Sequence, residues 1–494
     1  MKLKVKILNI ATEGPLIAIL NKADAHSMNL EALDRIKIRK GKKEIIVAID
    51  IAYGNKVVHP SEIGLFLDAA DPFGIKNKDY VEVNIEPKPQ SIHLIKKKLK
   101  GNELNRDEIY SIIKDLIENR LTEVETTYFV AGCYINGMTL NESAFLTEAI
   151  VKSGSRLTFY GRNVIDKHCI GGLAGNRTTP IIVPIIAAAG LIIPKTSTRS
   201  ITSPSGSADT MEILAPVSHS KESIMRIVKE TNACIVWGGT LDLAAADDKL
   251  IKLEKALDLD PEGILLASIL SKKSAVDSDK ILIDIPVGSE AKITSKKKAK
   301  KLAKKFIILG KKLGMKIRVV ITDGSNPIGK GIGPALEARD VLLVLQNRGP
   351  RDLRAKSLFM AGIMLDMAGV KNPEKTAIKI LESGAAYAKM KEIIKAQGGN
   401  PNIQPEKIKI GKFEYKVLAG KYGRVINISN NLVSRIAKEA GAPYDKGAGV
   451  YLNKQINEQV KNKDILFIIY AENKEKLNHA LKEELDKVYL INNN

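Results

Sequence analysis

Apolar residues in this chain first recur at every second position and then at every third or fourth, and the change of period divides it. Up to residue 88 the runs VKILNI, EIIVAIDIAY and YVEVNIEPKP predict strands, hence a β-rich N-terminal domain over 1–88 closed by PKPQ. From about Leu94 the period lengthens. NRDEIYSIIKDLIENRLTEVETTYFVAGCYING and TLNESAFLTEAIVKSG predict a helical domain over 89–160, joined by parts of 235–275, with Asn141 or Ser143 as a helix cap. Over 161–400 the short runs GLIIPKTS, NACIVWGG, KILIDIPVG and MKIRVVITDG alternate with helical stretches, the pattern of an α/β domain. AQGGNPNIQPEKI reads as a linker. Residues 408–494 mix strands (YGRVINI, ILFIIYA) with helices (NLVSRIAKEAG, EKLNHALKEELDKVY), predicting a small α+β domain. The expected fold class is α/β multidomain, with a β-rich N-terminal domain, a helical domain, a central α/β domain and a C-terminal α+β domain.

Composition narrows the class. Of 494 residues 44% are hydrophobic and 27% charged, which argues against wholesale disorder. No apolar run approaches the ~18 residues of a membrane span, and MKLKVKILNIATEG lacks the apolar core of a signal peptide. Cys133, Cys169 and Cys234 lie far apart and offer neither a disulfide framework nor a CxxC metal site. A cytoplasmic enzyme or binding protein is expected, with no membrane partner. The net charge of +21 raises nucleic-acid binding as the non-enzyme alternative. Against it, the lysines are scattered, and the run Lys296–Lys301 falls on a helix whose apolar side is Leu302, Phe306, Ile307 and Leu313. One Trp and nine Phe leave few platforms for stacked bases. The basic surface is therefore read as solvated, with a general pull on small anions.

Two loops carry the chemistry. KHCIGGLAGNRTTP, at 167–180, sets Gly171, Gly172 and Gly175 between Lys167 and a helix start at Thr178–Thr179–Pro180. Glycines admit close approach of a ligand, and a helix N-terminus offers free N–H groups to an anion. The stretch is neither a Walker motif nor GxGxxG. KTSTRSITSPSGSAD, at 195–209, holds eight Ser/Thr and Arg199 in fifteen residues, ahead of a helix start in TMEILAPV. Neutral hydroxyl donors and a forked cation suit phosphate oxygens. Two such loops in succession fit a substrate pair carrying two phosphates. Further on, LDLDPEGILLASILSKK opens with Asp260–Pro261, an N-cap signature. Ile264, Ser268 and Lys272 then follow at four-residue steps, and a carboxyl at the head of that stripe could act as a general acid. Lys292, in AKITS, is on composition alone one solvated lysine among many.

In order, KH-x-x-GG-x-x-G-x-x-TT, KTSTRSITSPSGSAD, GGTLDLAAADD, LDPEGILLASILSKK and TDGSNPIGKGIGPALEARDVL resemble the thymidine/pyrimidine-nucleoside phosphorylase family, and within it the archaeal-type branch acting on AMP. The tail AGKYGRVI…AGAPYDKGAGVYL resembles that family's C-terminal domain. The resemblance implies a nucleoside phosphorylase class II-like fold, in which a helical and an α/β domain close over a cleft. It implies that phosphate attacks the anomeric carbon of a nucleotide, giving adenine and ribose 1,5-bisphosphate from AMP, with CMP and UMP as further substrates. It places inorganic phosphate near Lys167, Thr179 and Ser197. It places AMP near Gly172, Thr198, Arg199, Ser200, Ile201, Thr202, Ser203, Ser207, Ser268 and Lys292. Asp260 matches the proton donor, with His168 near the base and Lys272 in support. No metal or organic cofactor is implied, and at least a dimer is. Two departures stand out. Cys169 replaces the usual serine beside phosphate, and a thiol donates weakly. Glu254 falls at or near the place of a pyrimidine-binding arginine, where a carboxylate would repel a pyrimidine carbonyl. The other enzyme readings are a pyrimidine-nucleoside phosphorylase and, more distantly, a phosphoribosyltransferase.

Overall fold

The computed structural model describes residues 1–12, 14–159, 163–200, 203–240, 245–257 and 259–492. They form two compact units: Met1–Gly154 with Ala244–Ser271, and Ser155–Leu243 with Lys272–Asn494. Among the described residues no helix is long and apolar enough to cross a membrane.

The first unit begins with strands β1 (Lys2–Leu8), β2 (Ile17–Asn21), β3 (Arg35–Lys40), β4 (Lys43–Ala52), β5 (Glu62–Phe66) and β6 (Tyr80–Ile85). They close into a barrel in the order β1-β5-β2-β4-β3-β6, which leaves no open sheet edge. The period-two pattern turns Leu3, Val5, Ile36, Ile38, Ile63 and Leu65 inward. Helices Ser91–Leu99, Arg106–Ile117, Glu123–Asn136 and Leu140–Ser153 follow. The long helical pattern after Asn105 breaks where Thr122 caps the third of these, its side chain accepting from the Glu125 N–H. The fourth is capped by Thr139 and not by Asn141 or Ser143. The Thr139 hydroxyl accepts from the Glu142 N–H at 3.1 Å, and the Glu142 carboxylate accepts from the Thr139 N–H at 2.8 Å. The T-x-x-E spacing makes this capping box, and it outcompetes the single caps further along. The core of Ile109, Ile112, Phe129, Leu146 and Ile150 is completed by Ala246, Leu250, Ile264 and Ala267, from helices Ala245–Leu257 and Glu262–Ala275.

The second unit is built on parallel strands β7 (Ile165–Cys169), β8 (Ile193–Ser197), β9 (Ala233–Trp237), β10 (Lys280–Val287) and β11 (Lys316–Asp323). The sheet β11-β10-β7 meets the pair β8-β9 through a parallel bridge, Val164 to Ile192, and through the Ile165 N–H donating to the Ile192 carbonyl at 2.9 Å. From β7 the chain winds outward through β8 to β9. It then restarts on the other side of β7 with β10 and β11. The winding direction thus reverses between β7 and β10, and open α/β sheets bind ligands outside the carboxyl ends of strands at such a reversal.

Packing explains two sequence features of this unit. Helix Thr179–Ala188 buries Ile181, Ile182, Val183, Ile185 and Ile186, so its sequence is apolar all round. Helix Lys296–Lys312 buries Ala299, Leu302, Phe306, Leu309 and Gly310. Ile307 is 49% exposed and Leu313 stands at the C-cap, so the apolar side turns through Leu309 rather than through those two. The linker-like stretch is packed: Gln397 accepts from the Ile235 N–H at 2.8 Å, and Ile408 joins the core.

The C-terminal part contributes β12 (Gly331–Ile332), β13 (Phe413–Leu418), β14 (Gly423–Ile428), β15 (Gly449–Leu452), β16 (Gln459–Val460), β17 (Ile465–Ala471) and β18 (Tyr489–Asn492). They form sheets β12-β15-β17-β13 and β16-β14-β18, so the GKGIG segment lends a strand to the C-terminal domain. Helices Asn430–Glu439 and Lys474–Ala480 pack beside them, the second shorter than the sequence pattern suggested. The α/β multidomain expectation, with β-rich, helical, α/β and α+β parts in that order, holds.

Candidate active site

The first loop leaves β7 at Cys169 and enters helix Thr179–Ala188. Gly171, Gly172 and Gly175 have φ of 96°, 80° and 68°, in the left-handed region. A Cβ on Gly172 would lie 2.5 Å from the Lys292 nitrogen, and one on Gly175 would lie 2.2 Å from the Ile328 carbonyl oxygen. The turns after β7, β10 and β11 therefore touch backbone to backbone at the reversal point. Lys292, unremarkable in composition, is brought against Gly172.

Lys167 is only 2% exposed and donates to the Thr178 and Thr179 hydroxyls at 2.7 and 3.4 Å. Among the described residues no carboxylate lies within ion-pair distance of it. Burial lowers its pKa, with Cys169 and Asp284 acting the other way. Thr178 is the N-cap residue without a side-chain cap bond, its hydroxyl being engaged by Lys167. The helix start read at Thr178–Thr179–Pro180 thus stands, with its N–H groups facing the loop. On β8 the Ser197 hydroxyl is buried and has no hydrogen-bond partner among the described residues.

Below these groups Asp166 is fully buried, paired with Lys273 at 2.6 Å and Lys195 at 3.5 Å. Burial brings Lys195 down to about 7, against the pull of Asp166. His168 falls well below the ordinary imidazole range through burial and the nearby Lys273, Lys195, Lys272 and Lys167, so it is neutral at neutral pH. Burial raises the Cys169 thiol to about 11, and Cys169 accepts from the Asn176 amide at 3.3 Å. It serves as an uncharged acceptor.

The second loop is drawn together by carboxylates. Asp209 accepts from the backbone N–H groups of Ser200 at 2.7 Å and Gly206 at 2.8 Å. Arg199 makes a forked pair with Glu212 at 2.8 and 2.6 Å, reaches Asp209 at 3.3 Å, and lies 4.8 Å over the Trp237 ring. Its charge is thus already met by protein groups. Arg199 foremost, with Lys446, holds Glu212 down to about 2. The helix begins at Ser207, earlier than TMEILAPV suggested, because the Asp209 carboxylate accepts from the Gly206 N–H at its N-terminus. Thr198 is exposed and Ser203 donates to the Ser205 carbonyl at 2.8 Å, while Ile201 and Thr202 lie outside the described residues. Asp209 and Glu212 went unremarked in the sequence reading, although the spacing G-x-x-D signals the first.

In the first unit, Asp260 is exposed and directly precedes Pro261. The Leu265 N–H donates to the Pro261 carbonyl at 2.9 Å, so Asp260–Pro261 stand at the start of helix Glu262–Ala275. Ser268 is buried one turn after Ile264, and Lys272 follows on the same helix. Glu254 is partly buried on helix Ala245–Leu257.

Comparison with known proteins places the chain in a family. Residues 92–154 match the helical bundle domain of a glycosyl transferase family, 161–387 its a/b domain, and 425–492 the pyrimidine nucleoside phosphorylase C-terminal domain. The chain is 44% identical over 485 residues to the AMP phosphorylase of Thermococcus sibiricus, covering 97% of this chain and 96% of that one. It is 45% identical to that of Pyrococcus abyssi over the same shares, 97% and 96%. With AMP phosphorylase 1 of Archaeoglobus fulgidus the identity is 42%, over 95% of this chain and 93% of that one. Among solved structures, anthranilate phosphoribosyltransferase from Thermus thermophilus superimposes with a TM-score of 0.50 at 18% identity, over 61% of this chain and 98% of that one, a likeness of fold alone.

Proposed function

The chain belongs to the AMP phosphorylase family, and from that membership we propose that it carries out AMP phosphorolysis at the carboxyl ends of β7, β8 and β10. AMP and phosphate give adenine and ribose 1,5-bisphosphate. A phosphate oxygen bonds to C1′, the bond from C1′ to N9 breaks, and the base leaves with a proton. The observation that carries the reading is Lys167: a buried lysine that donates to hydroxyls and, among the described residues, has no carboxylate within ion-pair distance has a place for an anion.

We assign the attacking phosphate to Lys167, Thr179 and the unpartnered Ser197 hydroxyl. The nucleotide falls to Gly172, Lys292 and the second loop. Since Arg199 is engaged by Glu212 and Asp209, its part is to shape that loop. The Thr198 hydroxyl and the hydroxyl hydrogen of Ser207 are left for the 5′-phosphate. As the glycosidic bond loosens, positive charge grows on the ribose and the incoming phosphate stabilises it. Asp260 donates the proton to the departing base, with neutral His168 on the base side and Ser268 and Lys272 in support. CMP and UMP are proposed as further substrates, the cytoplasm as location, and at least a dimer as the working form.

The test is to incubate the protein with AMP, CMP, UMP, uridine and thymidine, each with and without phosphate, and to measure free base. Adenine should appear from AMP only when phosphate is present. Faster release from uridine or thymidine would transfer the assignment to nucleosides, and no release from any of them would end it.

A further inference from the structure

Arg177 sits in the first loop, but its side chain serves the second. Its guanidinium donates to the Ser205 carbonyl at 2.9 Å and to the Ser207 hydroxyl at 3.2 Å. The remaining nitrogen, Nε, lies 2.7 Å from a carboxylate oxygen of Glu337, which is 1% exposed. That same oxygen accepts from the Thr210 hydroxyl at 2.8 Å, just beyond the second loop. Thr210 and Ser205 are themselves hydrogen-bonded at 3.0 Å. Two of the guanidinium nitrogens donate to the second loop and the third faces the Glu337 carboxylate, so protein contacts orient the group. Its neighbours Thr178 and Thr179 take the bonds from Lys167.

We infer that Arg177 is a positioning residue that couples the two anion loops, holding the loop for the attacking phosphate in register with the loop for the 5′-phosphate. The inference rests on the proposed assignment of those loops. A rigid fork suits the task because it fixes two loop contacts and a countercharge at once, whereas a lysine nitrogen is a single point charge on a flexible stem. If the two loops move as one, loosening the fork weakens both ligands together, because each site is shaped partly through the other.

The experiment uses the full chain. Arg177→Lys retains a cation beside Glu337 and should melt close to the parent. Its KM for phosphate and its KM for AMP should both rise on the order of tenfold, with kcat changed less than about threefold. Ser197→Ala, in contrast, should raise the KM for phosphate alone. Should Arg177→Lys fold poorly, Arg177→Met combined with Glu337→Leu removes both buried charges and should show the same paired rise. A rise in only one KM, or a lowered melting temperature with both KM values unchanged, would overturn the coupling. If the parent itself releases no adenine from AMP, the functional reading falls instead. The coupling is then decided by whether inorganic phosphate and AMP each stabilise the parent thermally and both lose that effect in Arg177→Lys.

Discussion

Among the described residues no carboxylate lies within ion-pair distance of the buried Lys167, so the residue costs stability while no phosphate is bound and repays it when one is. Lys167→Met should therefore raise the melting temperature in phosphate-free buffer, abolish the further rise that phosphate gives the parent, and remove most activity. Differential scanning fluorimetry across a phosphate titration checks all three against the assay. Asp260→Asn should lower turnover by about 10²–10⁴, the usual worth of a general acid, while AMP binding measured by calorimetry stays close to the parent. Glu212 is set by its cations, so its sign is that of a depressed carboxyl. Its stabilising share is complete above the ordinary glutamate value of 4.5 and disappears as pH falls toward about 2. Glu212→Gln should therefore melt lower than the parent at pH 7 and match it near pH 2.

Turns share the chemistry with the strand ends, and they do so where neighbouring backbones come close enough to exclude a side chain. Gly172→Ala would set a methyl group 2.5 Å from the Lys292 nitrogen at a φ of 80°. We expect about 1–3 kcal/mol of strain and a larger loss in kcat/KM for AMP than in stability, read from denaturant melts and initial rates. Strands β8 to β11 were legible because each is a short run with apolar residues between turn signals, whereas β7, IDKHC, carries three polar residues in five and gives no such run. The glycine-rich loop was legible from its residue types. The partner of that loop was not. Nothing in AKITS marks Lys292, since its importance comes from the winding reversal that sets β10 beside β7, a long-range pairing. The surroundings of Arg199 were hidden for a related reason. An arginine among hydroxyls suggests a phosphate ligand, and nothing local announces Glu212, thirteen residues on, as a partner. Thr139 shows the opposite case, a cap that T-x-x-E spelled out locally and that two nearer polar residues obscured.

The net charge of +21 is spread over the surface, and it should show as a mild, general weakening of both anionic substrates with added salt rather than as tight RNA binding. Filter binding of single-stranded RNA beside salt-dependent kinetics would tell these apart. The C-terminal part acts on the α/β part at several points of the second unit. Asn430 accepts from the Ala174 N–H at 3.2 Å, and Glu290, two residues before Lys292, accepts from the Asn431 N–H at 3.0 Å. Lys446 pairs with Glu212. Asn430→Ala should consequently raise the KM for phosphate without disturbing the barrel, as hydrogen exchange of β1 to β6 would show. The helical core of the first unit has a different consequence. Ala246, Leu250, Ile264 and Ala267 reach it only after the chain has made β7, β8 and β9. On the ribosome the nascent helices at 91–153 must wait, incompletely sealed, until the later segment emerges. A chain arrested before residue 244 should accordingly bind hydrophobic dyes and chaperones, and one arrested well past 271 should not.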